Sequence, residues 1–244
     1  MEGGRSSPRA LISIIIPTLN EADGIRKVIE EVPREELTNA GYDVEVVVVD
    51  GGSTDGTDEV VKGLGARLVY EPRKGYGRAY KTGFSIAKGD VIVTLDGDAS
   101  YPPKVIPRLL KIMRDFDLDF ITTCRVPSLG AMSLINKVGN LLLTLVIKIL
   151  FRINLRDSQS GMWVFRREVL RDIMPWDDGM AFSEEIKIKA FLCRKRVCEL
   201  PIPYYKRAGK AKLKRLLDGV RNLLYLFMLY TRLRGGVLCR GRPP

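Results

Sequence analysis

The chain has 244 residues, with 40 Lys+Arg against 29 Asp+Glu, a formal charge of +11 and no histidine. That length suits one or two domains with a real core, and the missing histidine excludes a Ser-His-Asp triad, a Cys-His pair, a His-bound metal and a His general base. Chemistry here must run on carboxylates, Lys/Arg, hydroxyls, backbone dipoles or an oxygen-ligated metal, and the positive charge suits a polyanion: nucleic acid, anionic lipid or a phosphorylated substrate.

Residues 1–10 are short and polar and read as a flexible N-terminus. Leu11–Ile16 (LISIII) and Val44–Val49 (VEVVVV) are nearly continuous apolar runs rich in β-branched residues. Such runs predict strands covered on both faces, as in a parallel sheet. Arg67–Tyr70, Val91–Leu95 and Asp119–Thr123 fit shorter strands. Between them the pattern predicts helices over about Asp23–Val32, Thr57–Lys62, Tyr76–Ala87 and Pro103–Phe116. Asn20 with Asp23 resembles an N-cap and its acidic N3 residue. The alternation predicts an α/β domain with a mostly parallel sheet flanked by helices. Ligands in such sheets bind at the carboxyl ends of the strands.

The second half changes character. Met132–Ile153 predicts an apolar helix, Met162–Phe165 a strand, Ser183–Leu192 a helix and Val197–Ile202 a strand. Arg194 to Arg215 then holds nine Lys/Arg and one Glu, and Leu216–Arg234 predicts a second apolar helix with arginines near its ends. Residues 235–244 read as a frayed tail. No stretch reaches about 18 uninterrupted apolar residues, the length of a membrane span. Basic residues beside an apolar helix favour the anionic membrane surface over nucleic acid, for which no motif is visible. The alternative is that both helices pack on the core or form a dimer. Cys124, Cys193, Cys198 and Cys239 form no CxxC and are expected reduced, in a cytosolic compartment.

Three strands are followed by polar, acidic or Gly-rich turns at one edge. These are Pro17-Thr18-Leu19-Asn20-Glu21, Asp50-Gly51-Gly52-Ser53-Thr54-Asp55, and Asp96-Gly97-Asp98-Ala99-Ser100. Asp96 and Asp98, two residues apart after a buried strand, can converge on one hard cation such as Mg²⁺ or Mn²⁺. Tyr101-Pro102-Pro103 replaces the glycine turn that an EF-hand needs. Asp50 reads either as a cap for its neighbours or as a contact to a polar ring or ribose edge, and Ser53 and Asp55 fit either role. Arg73-Lys74-Gly75-Tyr76-Gly77 precedes a helix, where basic and glycine residues suit phosphate. It matches neither a P-loop nor GxGxxG.

Taken together these residues resemble glycosyltransferase family 2. The resemblance is carried by IIIPTLNEADGI (Ile14–Ile25), VVVVDGGSTDGT (Val46–Thr57), RKGYGRAYKTGF (Arg73–Phe84) and LDGDASYPP (Leu95–Pro103). DSQSGMWVFRREVL (Asp157–Leu170) and AFSEEIKIKA (Ala181–Ala190) extend it over nearly the whole chain. DSQSG and the basic YYKRAGKAKL (Tyr204–Leu213) look like the polyprenyl-phosphate sugar synthases, the dolichyl-phosphate mannose and glucose type. The resemblance implies an α/β fold of the GT-A nucleotide-sugar transferase kind, covering about residues 11–215 and including a membrane-facing helix at about 132–153. A C-terminal amphipathic interface helix would follow at 216–234.

It also implies roles. Pro17, Thr18, Asn20, Glu21, Asp50, Ser53, Asp55, Lys74, Gly75 and Asp96 would hold the nucleotide sugar. Asp96, Asp98 and Ser100 would face a Mg²⁺ or Mn²⁺ ion, with Asp98 its direct ligand; Ser100 stands where similar enzymes often have Gln. Arg125, Asn136, Lys137, Asn140, Arg207, Lys210 and Lys212 would meet the acceptor phosphate. Related enzymes place an Arg and a Ser where this chain has Asn136 and Asn140. Glu185 falls on the acidic site residue, so Asp96, Asp98, Arg125 and Glu185 form the implied catalytic set.

The activity implied is metal-dependent, inverting transfer of a hexose from a nucleotide sugar, of the GDP-mannose or UDP-glucose type, to a polyprenyl (dolichyl) phosphate. The enzyme would sit peripherally on the cytoplasmic face of the membrane and bind no nucleic acid. The acceptor fits the missing histidine. A phosphate monoester, with a second pKa of about 6, arrives largely dianionic and needs cations to position it rather than a base. The alternatives are a family 2 transferase acting on a hydroxyl of a polysaccharide or glycolipid, with Glu185 or Asp157 as base, and a non-catalytic, membrane-associated nucleotide-binding protein.

Overall fold

The computed structural model describes residues 9–209 and 215–234. In chain order the elements are β1 (Ala10–Thr18), α1 (Ala22–Glu30), α2 (Arg34–Asn39), β2 (Tyr42–Asp50), α3 (Thr57–Gly63), β3 (Arg67–Tyr70) and α4 (Tyr76–Ile86). They continue with β4 (Val91–Thr94), α5 (Ile106–Asp115), β5 (Phe120–Pro127), α6 (Leu134–Phe151), β6 (Trp163–Arg166), α7 (Leu170–Ile173), α8 (Phe182–Leu192), β7 (Val197–Tyr204) and α9 (Arg215–Arg234). The strands form one seven-stranded sheet of order β3-β2-β1-β4-β6-β5-β7. All neighbours run parallel except β6, which lies antiparallel between β4 and β5. The sheet is thus the mostly parallel α/β sheet that the alternation of elements predicts.

The apolar runs are buried for the reason their composition suggests. Ile12, Ile14 and Ile16 of β1 face one layer with α1 and α5, whereas Ile15 faces the other with Tyr80 and Phe84 of α4 and Phe182 of α8. Alternate residues of one strand therefore feed two cores. Among the sequence expectations, α2 and α7 are missing, being too short to show helical periodicity. The proposed N-cap differs as well. Glu21 holds that position with no side-chain capping bond to the helix, and Asn20 adopts φ 53° and turns its carboxamide to the next loop.

A third apolar cluster joins α6, α9 and Ile188 of α8. Ser133 caps α6 by accepting from the Asn136 amide at 3.3 Å, and Arg152, at φ 59°, ends it. By length and composition α6 suffices to cross a membrane. A count of uninterrupted apolar residues misses this because Lys137 and Lys148 break the run. Cys124 and Cys198 are free thiols, but Cys193 is disulfide-bonded. This corrects the expected all-reduced set, since sequence spacing does not say which thiols meet in space.

Candidate active site

In the register of β1 and β2, Thr18 lies beside Asp50, so the two loops leave the sheet side by side. Their side chains fasten one to the other. Buried Asp50 accepts from Thr18 Oγ1 at 3.3 Å, from the amides of Gly52 and Ser53 at 2.9 Å each, and from the Ser53 hydroxyl. Ser53 Oγ accepts from the Asn20 amide at 2.8 Å, and Asn20 Oδ1 accepts from the Thr54 amide at 2.7 Å. Asp55 accepts from the amides of Ala22 and Thr57, at 3.0 and 3.1 Å. Burial raises its pKa, but the Thr57 hydroxyl and these amides outweigh that and hold it below the usual range. Asp50 is thus the cap of its own loop, and these bonds cross-link the two loops.

The acidic turn follows β4. Ala99 turns the chain at φ 60°, a left-handed conformation that costs a non-glycine residue about 1–2 kcal/mol. The turn brings the Ser100 amide and hydroxyl onto Asp98 Oδ1 at 3.0 and 2.6 Å. Asp98 Oδ2 faces Arg207 Nη2 at 2.9 Å. The same nitrogen lies 3.3 Å from Glu21 Oε1. Asp96 accepts from the Tyr76 hydroxyl at 3.3 Å. Burial, and then the charge of Asp98, push Asp96 up to about 7. Glycines make room for this turn. A Cβ on Gly24 of α1 would lie 2.4 Å from the Gly97 carbonyl oxygen, and one on Gly161 would lie 2.6 Å from Tyr76 Oη.

The expected acceptor side is built on β5. Arg125 forms a two-toothed pair with Asp157, Nε to Oδ2 at 2.7 Å and Nη2 to Oδ1 at 2.8 Å, almost wholly buried. Its guanidinium also sits 5.3 Å from the centre of the Tyr204 ring. Burial raises the pKa of Asp157, yet the Arg125 charge and hydrogen bonds leave it lowered. Asn140 Oδ1 accepts from the Gln159 amide at 3.2 Å, which ties α6 to this loop. Asn136 and Lys137 are exposed on the first turns of α6. Lys210 and Lys212, and the tail at 235–244, lie outside the described residues.

Glu185 is placed differently from its implied role. It is fully buried, accepts from the amides of Trp176 and Asp177 and from Tyr225 Oη at 2.7 Å, and pairs with Lys189 at 2.8 Å. It braces α8 against α9, and its oxygens are taken. Lys74 is exposed, and Gly75, at φ 141°, is pressed onto the Asp178 backbone. The Asp178 segment holds this corner through Arg78 and Lys81.

Several site neighbours escaped the sequence reading. Tyr76 and Gly161 flank Asp96; both lie inside motifs quoted above, but nothing local marks them as partners. Tyr101 Oη accepts from the Gly161 amide at 2.7 Å. Glu184, fully buried, takes the Gln159 side-chain amide on one oxygen, and the other meets no partner among the described residues. Burial pushes Glu184 up to about 8.

Among the described residues no group of three or more His, Cys, Asp or Glu side chains is arranged to hold a metal. The donor set still fits one. Mg²⁺ and Mn²⁺ are commonly held by one or two carboxylates, with substrate phosphates completing the shell, and the Asp96–Asp98 pair supplies that many.

Comparison with known proteins gives the same picture. A hexosyltransferase of low-salt glycan biosynthesis, Agl6 of Haloferax volcanii, is 34% identical over 221 residues, which is 89% of this chain and 53% of that protein. The chain thus spans about half of that relative. The dolichyl-phosphate hexose transferase of the same organism is 32% identical over 210 residues, 85% of this chain and 89% of that protein. In fold, the chain resembles glucosyl-3-phosphoglycerate synthase of Mycobacterium tuberculosis crystallised with Mn²⁺, UDP and phosphoglyceric acid. The TM-score is 0.73 at 22% identity, over 95% of this chain and 81% of that one. The sequence profile of glycosyl transferase family 2 matches residues 13–174, so this chain, with its acidic turn at the carboxyl edge of a mostly parallel sheet, belongs to that family and is a glycosyltransferase of GT-A fold.

Proposed function

We propose that the enzyme moves a hexose from a nucleotide sugar to a polyprenyl phosphate at a membrane surface. The observation that carries this reading is the pairing of cations with acids around the Asp96–Asp98 turn. Arg207 lies on Asp98 and Arg125 is buried on Asp157. Asp157 and Glu185, the carboxylates that could act as base toward a hydroxyl acceptor, are both committed to partners. A phosphate acceptor needs no base and does need guanidinium groups, whose forked donors match its oxygens.

Asp98 and Asp96 would hold a divalent ion together with the donor diphosphate, and that ion would offset the charge of the departing nucleoside diphosphate. The loops after β1 and β2 would seat the nucleoside against Thr18, Asp50 and Ser53. Tyr76 orients Asp96 by its hydrogen bond. The Haloferax relative named for dolichyl phosphate supports the acceptor class, and the metal-bound and UDP-bound structural neighbours are consistent with the metal. The exposed apolar faces of α6 and α9, including Leu141, Ile149, Leu224 and Phe227, would rest on the lipid. Basic residues near them favour an anionic surface.

The test is a panel of radiolabelled nucleotide sugars with membranes containing polyprenyl phosphate and Mn²⁺. Label should move to the organic phase with one donor, and D98A should abolish the transfer. Label passing instead to oligosaccharide, with none to the lipid, rejects the phosphate acceptor.

A further inference from the structure

The segment after β7 is fastened across the acidic turn. The Tyr205 amide donates to the Ser100 carbonyl at 3.0 Å and the Ala208 amide to the Asp98 carbonyl at 2.8 Å. Between these anchors Arg207 lays Nη2 against Asp98 Oδ2 at 2.9 Å and Glu21 Oε1 at 3.3 Å. Asp98 Oδ1 already accepts from the Ser100 amide and hydroxyl, so Oδ2 is its less encumbered oxygen. The guanidinium is incompletely matched, because its buried Nε meets no acceptor among the described residues. An unpaired buried donor weakens the arrangement it belongs to.

We propose that Arg207 is a tethered cation that guards Asp98: the guanidinium and the divalent metal exclude one another at Asp98 Oδ2, and the metal enters only as Arg207 leaves. This rests on the assignment of Asp98 as a metal ligand made above. Both cations seek the same lone pairs, and the reduced dielectric of a half-buried site magnifies the repulsion between them. Arg207 thereby spares the acidic turn an uncompensated carboxylate while no metal is present. It also ties metal entry to a side chain that, once released, has its whole fork available to an anion.

The experiment is Mn²⁺ titration of the full chain without nucleotide, with free Mn²⁺ read by electron paramagnetic resonance. R207Q should bind Mn²⁺ about tenfold more tightly than the wild type, a typical size for coupling between two ligands of one site. K206Q removes an equal charge from the neighbouring exposed residue and should change the affinity by less than about twofold, since a screened surface charge acts weakly. R207K should return toward the wild type. Arg207 is 31% exposed, and thermal melting of each variant checks that it is folded at the assay temperature. Equal affinity in R207Q and wild type overturns the proposal, as does an equal gain in K206Q. D98N separates the two ideas. If D98N binds Mn²⁺ as the wild type does, the metal assignment itself has failed. If D98N loses the ion while R207Q is unchanged, only the competition has.

Discussion

Replacing Arg125 with Met tests whether β5 and the Asp157 loop are held by their ion pair. The side chains are 11% and 4% exposed, with bonds of 2.7 and 2.8 Å. R125M removes the cation and leaves Asp157 buried, still accepting from the amides of residue 125 and Gln159. Stranding one partner of a buried pair costs about 3–5 kcal/mol. In a chain of this size that lowers Tm by roughly 10 °C. The double variant R125M/D157N should lose less than the sum of the single variants by about 2 kcal/mol, the interaction energy of residues in contact. The sign with pH is fixed. The folded pKa of Asp157 lies below its ordinary 3.8, so its stabilising share is full above that ordinary value and fades as pH falls through the lowered one. The gap between wild type and R125M should therefore narrow in acid. Urea denaturation of the four proteins at neutral and acid pH measures this. Losses below about 1 kcal/mol with no coupling, the behaviour of a screened surface pair, would refute the reasoning.

Two further outcomes follow from the site. G161A places a methyl group 2.6 Å from Tyr76 Oη and 3.3 and 3.4 Å from the Asp96 oxygens. Displacing Asp96 by a fraction of an ångström should cut sugar transfer at least about tenfold, and G161A/Y76F, which lacks the clashing hydroxyl, should recover part of it; a fully active G161A sinks the placement of Asp96. Glu184 sits at about 8, against an ordinary 4.5. Because the folded state keeps a proton that the unfolded state gives up, its stabilising share is full below pH 4.5 and is lost as pH rises toward 8. E184Q should therefore gain Tm relative to the wild type between pH 5 and 8, and parallel melting curves across that range would contradict the burial argument.

Much of the framework was legible because the information was local. Ile12 to Ile16 and Val46 to Val49 are buried strand residues, as uninterrupted β-branched runs require, and the acidic turns lie at the strand ends where the alternation puts them. The partners of those acids were not legible. That Asp98 meets Arg207 and that Arg125 meets Asp157 depends on separations of 109 and 32 residues in the chain, which no local pattern encodes. The antiparallel β6 was hidden for the same reason, since four residues of strand carry no sign of direction. Glu185 shows the limit of motif position. Its place along the chain resembles that of a site acid, but its surroundings are set by α9, thirty residues and more downstream.

Those surroundings bear on how the enzyme could be divided. Tyr225 and Arg232 of α9 reach Glu185 and the face of Trp176, the latter at 3.7 Å, while Lys189 sits 3.6 Å from the same ring. The Trp176 segment continues into Asp178, which grips Arg78 and Lys81 beside Gly75. The apolar helix α9, proposed above to rest on lipid, is therefore also a wall of the folded body. A chain cut before α9 would strip Glu185 of its hydroxyl donor and Trp176 of one of its two cations, loosening the corner around Gly75. Detergent-free handling by truncation, the usual remedy for a sticky terminal helix, would here loosen the corner around Gly75 as well.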